Sequence, residues 1–239
     1  MIESRWGGWY VTGDTGIGRH VGNTVATNPR DPMLHHNEAN LNIDTVEGRF
    51  DTSGYLTPRS DIVALMVLEH QTRMTNLLTR VGWEFRLATH ERDASAGLFA
   101  RPARTIDNRT LQEAVGELVD YMLFLDEAPL TDRMVGSSGF SSAFAARGPF
   151  DRRGRTLREI DLDRRLFRYA CSYMIYTEAF DALPTLALDA TYARLWTVLS
   201  GEVSEPPYDQ LSFADRQSIV EILLETKSNL PDYFSGMVE

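Results

Sequence analysis

Val63, Met66, Val67, His70, Met74, Leu77, Leu78 and Val81 return at the three- and four-residue spacing of one helix face. Ser60 or Asp61 stands where the N-cap of that helix belongs. The same period predicts a second helix from Asp107, with Leu111, Val115, Leu118, Val119, Met122 and Leu125 on one stripe. A third takes Pro184 into its first turn, carries Leu188, Thr191, Tyr192, Leu195, Trp196 and Leu199, and stops at Gly201. A fourth is capped by Ser212 with Asp215 three residues on, and turns Ile219, Val220, Leu223 and Leu224 inward before Pro231. Residues 129–183 are mixed, and 166–176 read as a short strand or another helix. No internal repeat is present. These patterns predict a mainly α fold: an irregular helical domain over 60–239, behind a long, mostly extended segment over 1–59, with a few short strands.

The N-terminal segment opens R-W-G-G-W-Y-V-T-G-D-T-G-I-G-R-H (5–20), a strand-like run followed by closely spaced glycines. That pattern invites comparison with a dinucleotide-binding turn, which works only as strand, tight turn and helix within alternating strand–helix units. Here Gly22, Asn23, Asn28 and Pro29 interrupt the segment where that helix would run, and no such units follow. The glycine spacing is also one residue shorter than in short-chain dehydrogenases. Their Tyr-x-x-x-Lys pair is missing, because Lys227 is the only lysine and Leu223 precedes it by four. The segment therefore reads as a glycine-rich turn with aromatic anchors.

The formal net charge of −10 argues against non-specific association with nucleic acid or anionic membrane. Cys171 is the only cysteine, so neither an intramolecular disulfide nor a C-x-x-C-H haem attachment can form within this chain. The longest apolar run, 62–68, falls far short of the roughly 20 residues a membrane helix needs. No positively charged and apolar leader precedes Trp6, and the strand-like run begins within a few residues of Met1. The expectation is that this chain is the back part of something longer.

Several side chains are candidates for chemistry. His70 lies on an apolar stripe between Met66 and Met74, where an imidazole needs a partner to offset its desolvation. It reads either as a hydrogen-bonded core histidine or as a metal or haem ligand. His20 follows glycines that allow close backbone approach, and His35 and His36 form a pair in a polar loop. His90, near a helix end, suits the negative end of the dipole. Ser137-Ser138-Gly139 has no local histidine to activate a nucleophile. Arg147, Arg152, Arg153, Arg155, Arg158, Arg164, Arg165 and Arg168 are interspersed with Asp151, Asp161 and Asp163. Most of that charge reads as ion-paired, with guanidinium binding of carboxylates as the alternative. Asp126 and Glu127 fall at the dipole-disfavoured end of the second predicted helix.

R-W-G-G-W-Y-V-T-G (5–13), R-H-V-G-N (19–23), S-D-I-V-A-L-M-V-L-E-H-Q (60–71) and L-V-D-Y-M-L-F-L-D-E-A (118–128) occur in that order. They are followed by G-P-F-D-R-R-G-R (148–155), C-S-Y-M-I-Y (171–176), R-L-W-T-V-L-S-G (194–201) and L-P-D-Y-F (230–234). Together they resemble the C-terminal portion of a family of poorly characterised, exported bacterial cytochrome-c-like proteins. The resemblance implies a single C-x-x-C-H motif upstream, a periplasmic location, and a haem c not attached by this chain alone. It raises His20 and His70 as metal ligands, Met74 as a third candidate, and Arg152 and Arg153 as partners for haem propionates. The leading expectation is an electron-transfer module that packs over a haem site supplied upstream or by a redox partner. The alternatives are a cofactor-free helical interaction module and, more remotely, a metal-dependent enzyme built on His20, His35, His36 and His70.

Overall fold

The structure, a computed structural model, describes residues 5–24, 28, 30, 40–95, 108–125, 127, 130 and 132–237. Its α-helices are α1 (Ile62–Ser95), α2 (Asn108–Met122), α3 (Phe140–Ala145), α4 (Glu178–Asp181), α5 (Thr185–Leu199) and α6 (Phe213–Thr226). Shorter 3-10 turns lie at Tyr173–Tyr176, Tyr208–Gln210 and Asp232–Met237. The fold is mainly α. Among the described residues the expected short strands reduce to single bridges, Thr12–Asp61, Asp14–Val135, Glu47–Phe50 and Ile160–Phe167. Gly13 at φ 126 and Gly16 at φ 59 turn the chain away as soon as each of the first two is made.

The helices follow their apolar periods with local differences. Asp61 is the cap of α1, its Oδ1 accepting from Val63 N at 2.8 Å. That helix continues past Val81 to Ser95. Ser212 and Asp215 form the reciprocal capping box expected of α6. The second helix stops at Met122 rather than including Leu125, because Phe124 turns left-handed at φ 57. Leu125 N then donates to Asp120 O at 3.1 Å and Phe124 N to Tyr121 O at 3.2 Å, the paired bonds of a Schellman close. Residues 166–176 form neither strand nor α-helix; Phe167 makes one bridge and Tyr173–Tyr176 a 3-10 turn.

The chain forms two compact units. The first comprises Met1–Glu69, Ala128–Arg147 and Arg158–Arg168. Its N-terminal loop is stitched by backbone bonds: Thr12 N to Ser60 O, Ile62 N to Thr12 O, and a reciprocal pair between Asp14 and Val135. Gly13 has no room for a side chain, since a Cβ there would fall 2.7 Å from Val135 O. Trp6, Val11, Ile62, Val63, Met134 and Phe167 supply buried apolar surface. The second unit comprises His70–Glu127, Gly148–Leu157 and Tyr169–Glu239. There α2 turns Ala114, Val115, Leu118, Val119 and Met122 inward and packs on α5, which in turn packs on α6. Burial of such side chains at about 25 cal/mol per Å² is the main force holding these helices together.

Candidate functional site

Two stretches far from His70 in sequence, 121–124 and 172–173, converge on it in the second unit. The ring is stacked with Tyr121 (centroids 5.2 Å apart, planes at 21°) and with Phe124 (4.7 Å, 26°). Tyr173 lies tilted at 6.2 Å, and Nε2 is 2.7 Å from Ser172 Oγ. Ser172 is itself pinned: its Oγ accepts from Met174 N at 3.2 Å and its N donates to Met122 O at 2.8 Å. Burial pushes the imidazole down to about 4, so the ring is neutral at pH 7. The left-handed turn at Phe124, sterically costly for an aromatic residue, is what lays its ring against the histidine. Neighbouring Cys171 is buried and its thiol is pushed up to about 12, which leaves it inert as a nucleophile.

His20 is equally committed in the first unit. Gly22 N donates to Nδ1 at 3.0 Å, which places the proton on Nε2, 3.2 Å from the acceptor Leu41 O. Trp6 meets the ring edge-on at 5.7 Å. Burial lowers its pKa, against the smaller opposite pull of the Leu41 carbonyl. Gly22 is required beside it, for a Cβ there would lie 2.9 Å from Nδ1. In the same unit, the buried Asp61 carboxylate accepts from Ser138 N at 2.8 Å and from Ser138 Oγ at 2.6 Å. Of the two hydroxyls of the Ser-Ser-Gly loop, that of Ser138 is thus spent on a carboxylate and that of Ser137 is paired with Thr12 Oγ1 at 2.6 Å, so neither is raised by an imidazole.

The arginine-rich stretch is largely self-neutralised, as its interspersed carboxylates suggest. Arg155 donates to Asp151 Oδ2 at 2.6 Å and to Glu221 Oε2 at 2.8 Å, and Arg153 joins the same Glu221 oxygen at 2.8 Å. Arg152 places its backbone N on Glu225 at 2.7 Å, while its side chain is exposed. Burial pushes the Asp151 carboxyl up, but hydrogen bonds from Arg155 backbone and guanidinium, with its charge, hold it below the usual carboxylate range. Arg168 pairs with Glu159 and Arg164 with Asp161.

The first unit also carries an exposed aromatic cluster. Tyr10 stacks on Phe50 at 5.0 Å, Tyr55 meets Phe50 edge-on at 5.7 Å, and Tyr55 is 67% exposed. Trp9 and Leu56 add to the exposed apolar surface of the same unit.

No family model, curated protein or solved structure matches the chain. An axial ligand needs a nitrogen or sulfur lone pair facing open space. Both His20 nitrogens sit in hydrogen bonds, His70 Nε2 is held by Ser172 and its ring is packed in aromatics, and Met74 is completely buried. As folded, these residues do not fit an iron ligand, and Arg153 is committed to Glu221 rather than open to a propionate. Among the described residues no group of three or more His, Cys, Asp and Glu could hold a metal ion, and His35 and His36 lie outside them. No helix among the described residues is long and apolar enough to cross a membrane.

The partners of His70 were unreadable from its own helix. Nothing in the spacing of Tyr121, Phe124 and Ser172 says that they meet one imidazole. Nor does the sequence announce Arg216, a buried cation in the last long helix, as the residue that ties down four carbonyls.

Proposed function

We propose that the chain is a docking module, in which the aromatic face of the first unit covers a partner. In the reading that the cytochrome-c-like resemblance implies, that partner is a haem-bearing segment or redox protein, in an exported, periplasmic setting. The observation that carries the proposal is the Tyr10–Phe50–Tyr55 cluster: large rings packed on one another yet left open to solvent. Exposed aromatic clusters of this kind mark interaction surfaces more often than they occur by chance on a monomer. The locked state of His20 and His70 favours a covering role over supply of an iron ligand. Covering a haem edge excludes water and lowers the local dielectric, which tunes a redox centre without any bond to the iron.

A haem peptide bearing C-x-x-C-H and one open axial position tests this directly. The expected result is saturable quenching of tryptophan fluorescence with no shift of the Soret band, weakened at least tenfold by the Tyr10→Ser/Tyr55→Ser pair. A Soret shift to low spin that disappears in His70→Ala or His20→Ala would replace covering by ligation. No quenching at all would remove the haem partner and leave the cofactor-free interaction module.

A further inference from the structure

The second unit holds a cleft of about 590 Å³ framed by α1, α2 and α5. That volume lies within the roughly 300–1,000 Å³ range of small-molecule sites. Phe85, Leu111, Val115 and Ala193 give it apolar walls, while Gln112 and Arg194 bring polar groups to it. Two features need an explanation that packing does not give. Gly116 sits in the interior of α2, where glycine is disfavoured relative to alanine. A Cβ added there meets nothing within 4 Å, so no close approach of backbone demands the glycine. The space it faces lies between α2 and the small residues Ala190 and Ala193 of α5, where only a side chain larger than a methyl would fill the cleft. The second feature is Arg194. Its guanidinium donates to the Tyr208 hydroxyl and lies over that ring at 5.1 Å, while Tyr208 donates to Asp120 Oδ1 at 3.1 Å. Among the described residues Arg194 forms no ion pair, in a chain where carboxylates outnumber basic residues 34 to 24.

We infer that this cleft binds a carboxylate with an apolar body, of the size of a medium-chain fatty acid, its tail along the Gly116–Ala193 gap and its head on Arg194. One guanidinium outside any ion pair matches one monoanion; among the described residues the lining offers no second cation to neutralise a phosphate dianion. The Tyr208–Asp120 pair fixes the guanidinium plane, so its remaining donors are presented without further loss of side-chain freedom. This site belongs wholly to the second unit and does not depend on the docking proposal.

Titration calorimetry with decanoate and with decanol, below their micellar concentrations, tests the assignment on the full chain. Saturable one-to-one decanoate binding is expected, weakened at least tenfold by Arg194→Gln, with decanol binding the two proteins alike. Gly116→Leu places a side chain in the open space and improves helix propensity, so it should fold, melt no lower than the parent, and bind neither probe. Absence of saturable decanoate binding, or undiminished binding by a folded Gly116→Leu, would overturn the site. Equal decanoate affinity of Arg194→Gln would overturn the carboxylate.

Discussion

His70 illustrates how one side chain ties stability to pH. Its pKa is about 4 in the folded chain against roughly 6.5 when exposed, so between those values the unfolded chain binds the proton and the folded one does not. Stability from this residue is therefore complete above about pH 6.5 and is lost as pH falls toward 4, a swing of about 3 kcal/mol. His20 shifts in the same direction and adds to the slope. Urea unfolding at a series of pH values should show the loss in the parent, with His70→Gln removing most of the His70 share. An unchanged slope in that variant would assign the acid sensitivity elsewhere. Phe124 belongs to the same balance. Phe124→Gly relieves the left-handed turn but removes the ring stacked on the imidazole. Net stability is expected to move by less than about 1 kcal/mol, while the His70 pKa, followed by NMR, rises toward its ordinary value. A pKa that stays near 4 would show that Tyr121, Tyr173 and the surrounding burial suffice without Phe124. Of the two readings its position on an apolar stripe allows, His70 has the geometry of a hydrogen-bonded core histidine. Its ring partners were not legible, because contacts with residues as distant in sequence as Tyr121 and Tyr173 leave no trace in a helical period.

At the level of elements, the end of α5 depends on a residue of α6. Arg216 is buried, and its guanidinium donates to Leu211 O at 3.0 Å, Val198 O at 2.8 Å, Val203 O at 3.3 Å and Tyr208 O at 2.7 Å. A cation there satisfies Val198 O in the last turn of α5, together with three carbonyls of the segment that follows, and suits the negative end of the helix dipole. Replacing it by Met keeps much of the volume but strips donors from buried carbonyls, and is expected to cost about 3 kcal/mol in chemical denaturation. Arg216→Lys should recover only part, since an ammonium cannot reach four divergent acceptors; full recovery would mean that charge, not geometry, matters. Periodicity located α5 and α6 well, down to the Ser212 cap, because those signals are local. It carried α1 only to Val81 and overran the end of α2. The stop at Phe124 uses an aromatic residue where glycine is the usual signal, so it could not be read in advance.

For the whole molecule the question is whether its many surface ion pairs hold it together. Arg109–Glu113, Arg133–Asp163 and Arg164–Asp161 all involve strongly exposed arginines, and such pairs contribute about 0–1 kcal/mol each before screening. The Asp151–Arg155–Glu221 triad is different: its three side chains are 0%, 16% and 15% exposed, so added salt reaches it poorly. Against these stands an excess of ten negative charges whose mutual repulsion favours the expanded chain. Salt weakens the repulsion and the exposed pairs together, but the repulsion acts over the whole surface while the weak pairs have little to lose. Thermal unfolding at pH 7.5 should therefore shift upward by a few degrees between about 0.01 and 0.3 M NaCl. A shift downward would mean that the exposed arginine pairs form a cooperative network stronger than their separate exposures imply. Asp151→Asn separates the two effects: it adds a positive increment to net charge, which relieves repulsion, yet leaves Arg155 without its closest carboxylate. If the triad outweighs the field, as its burial implies, this variant melts below the parent at both salt concentrations.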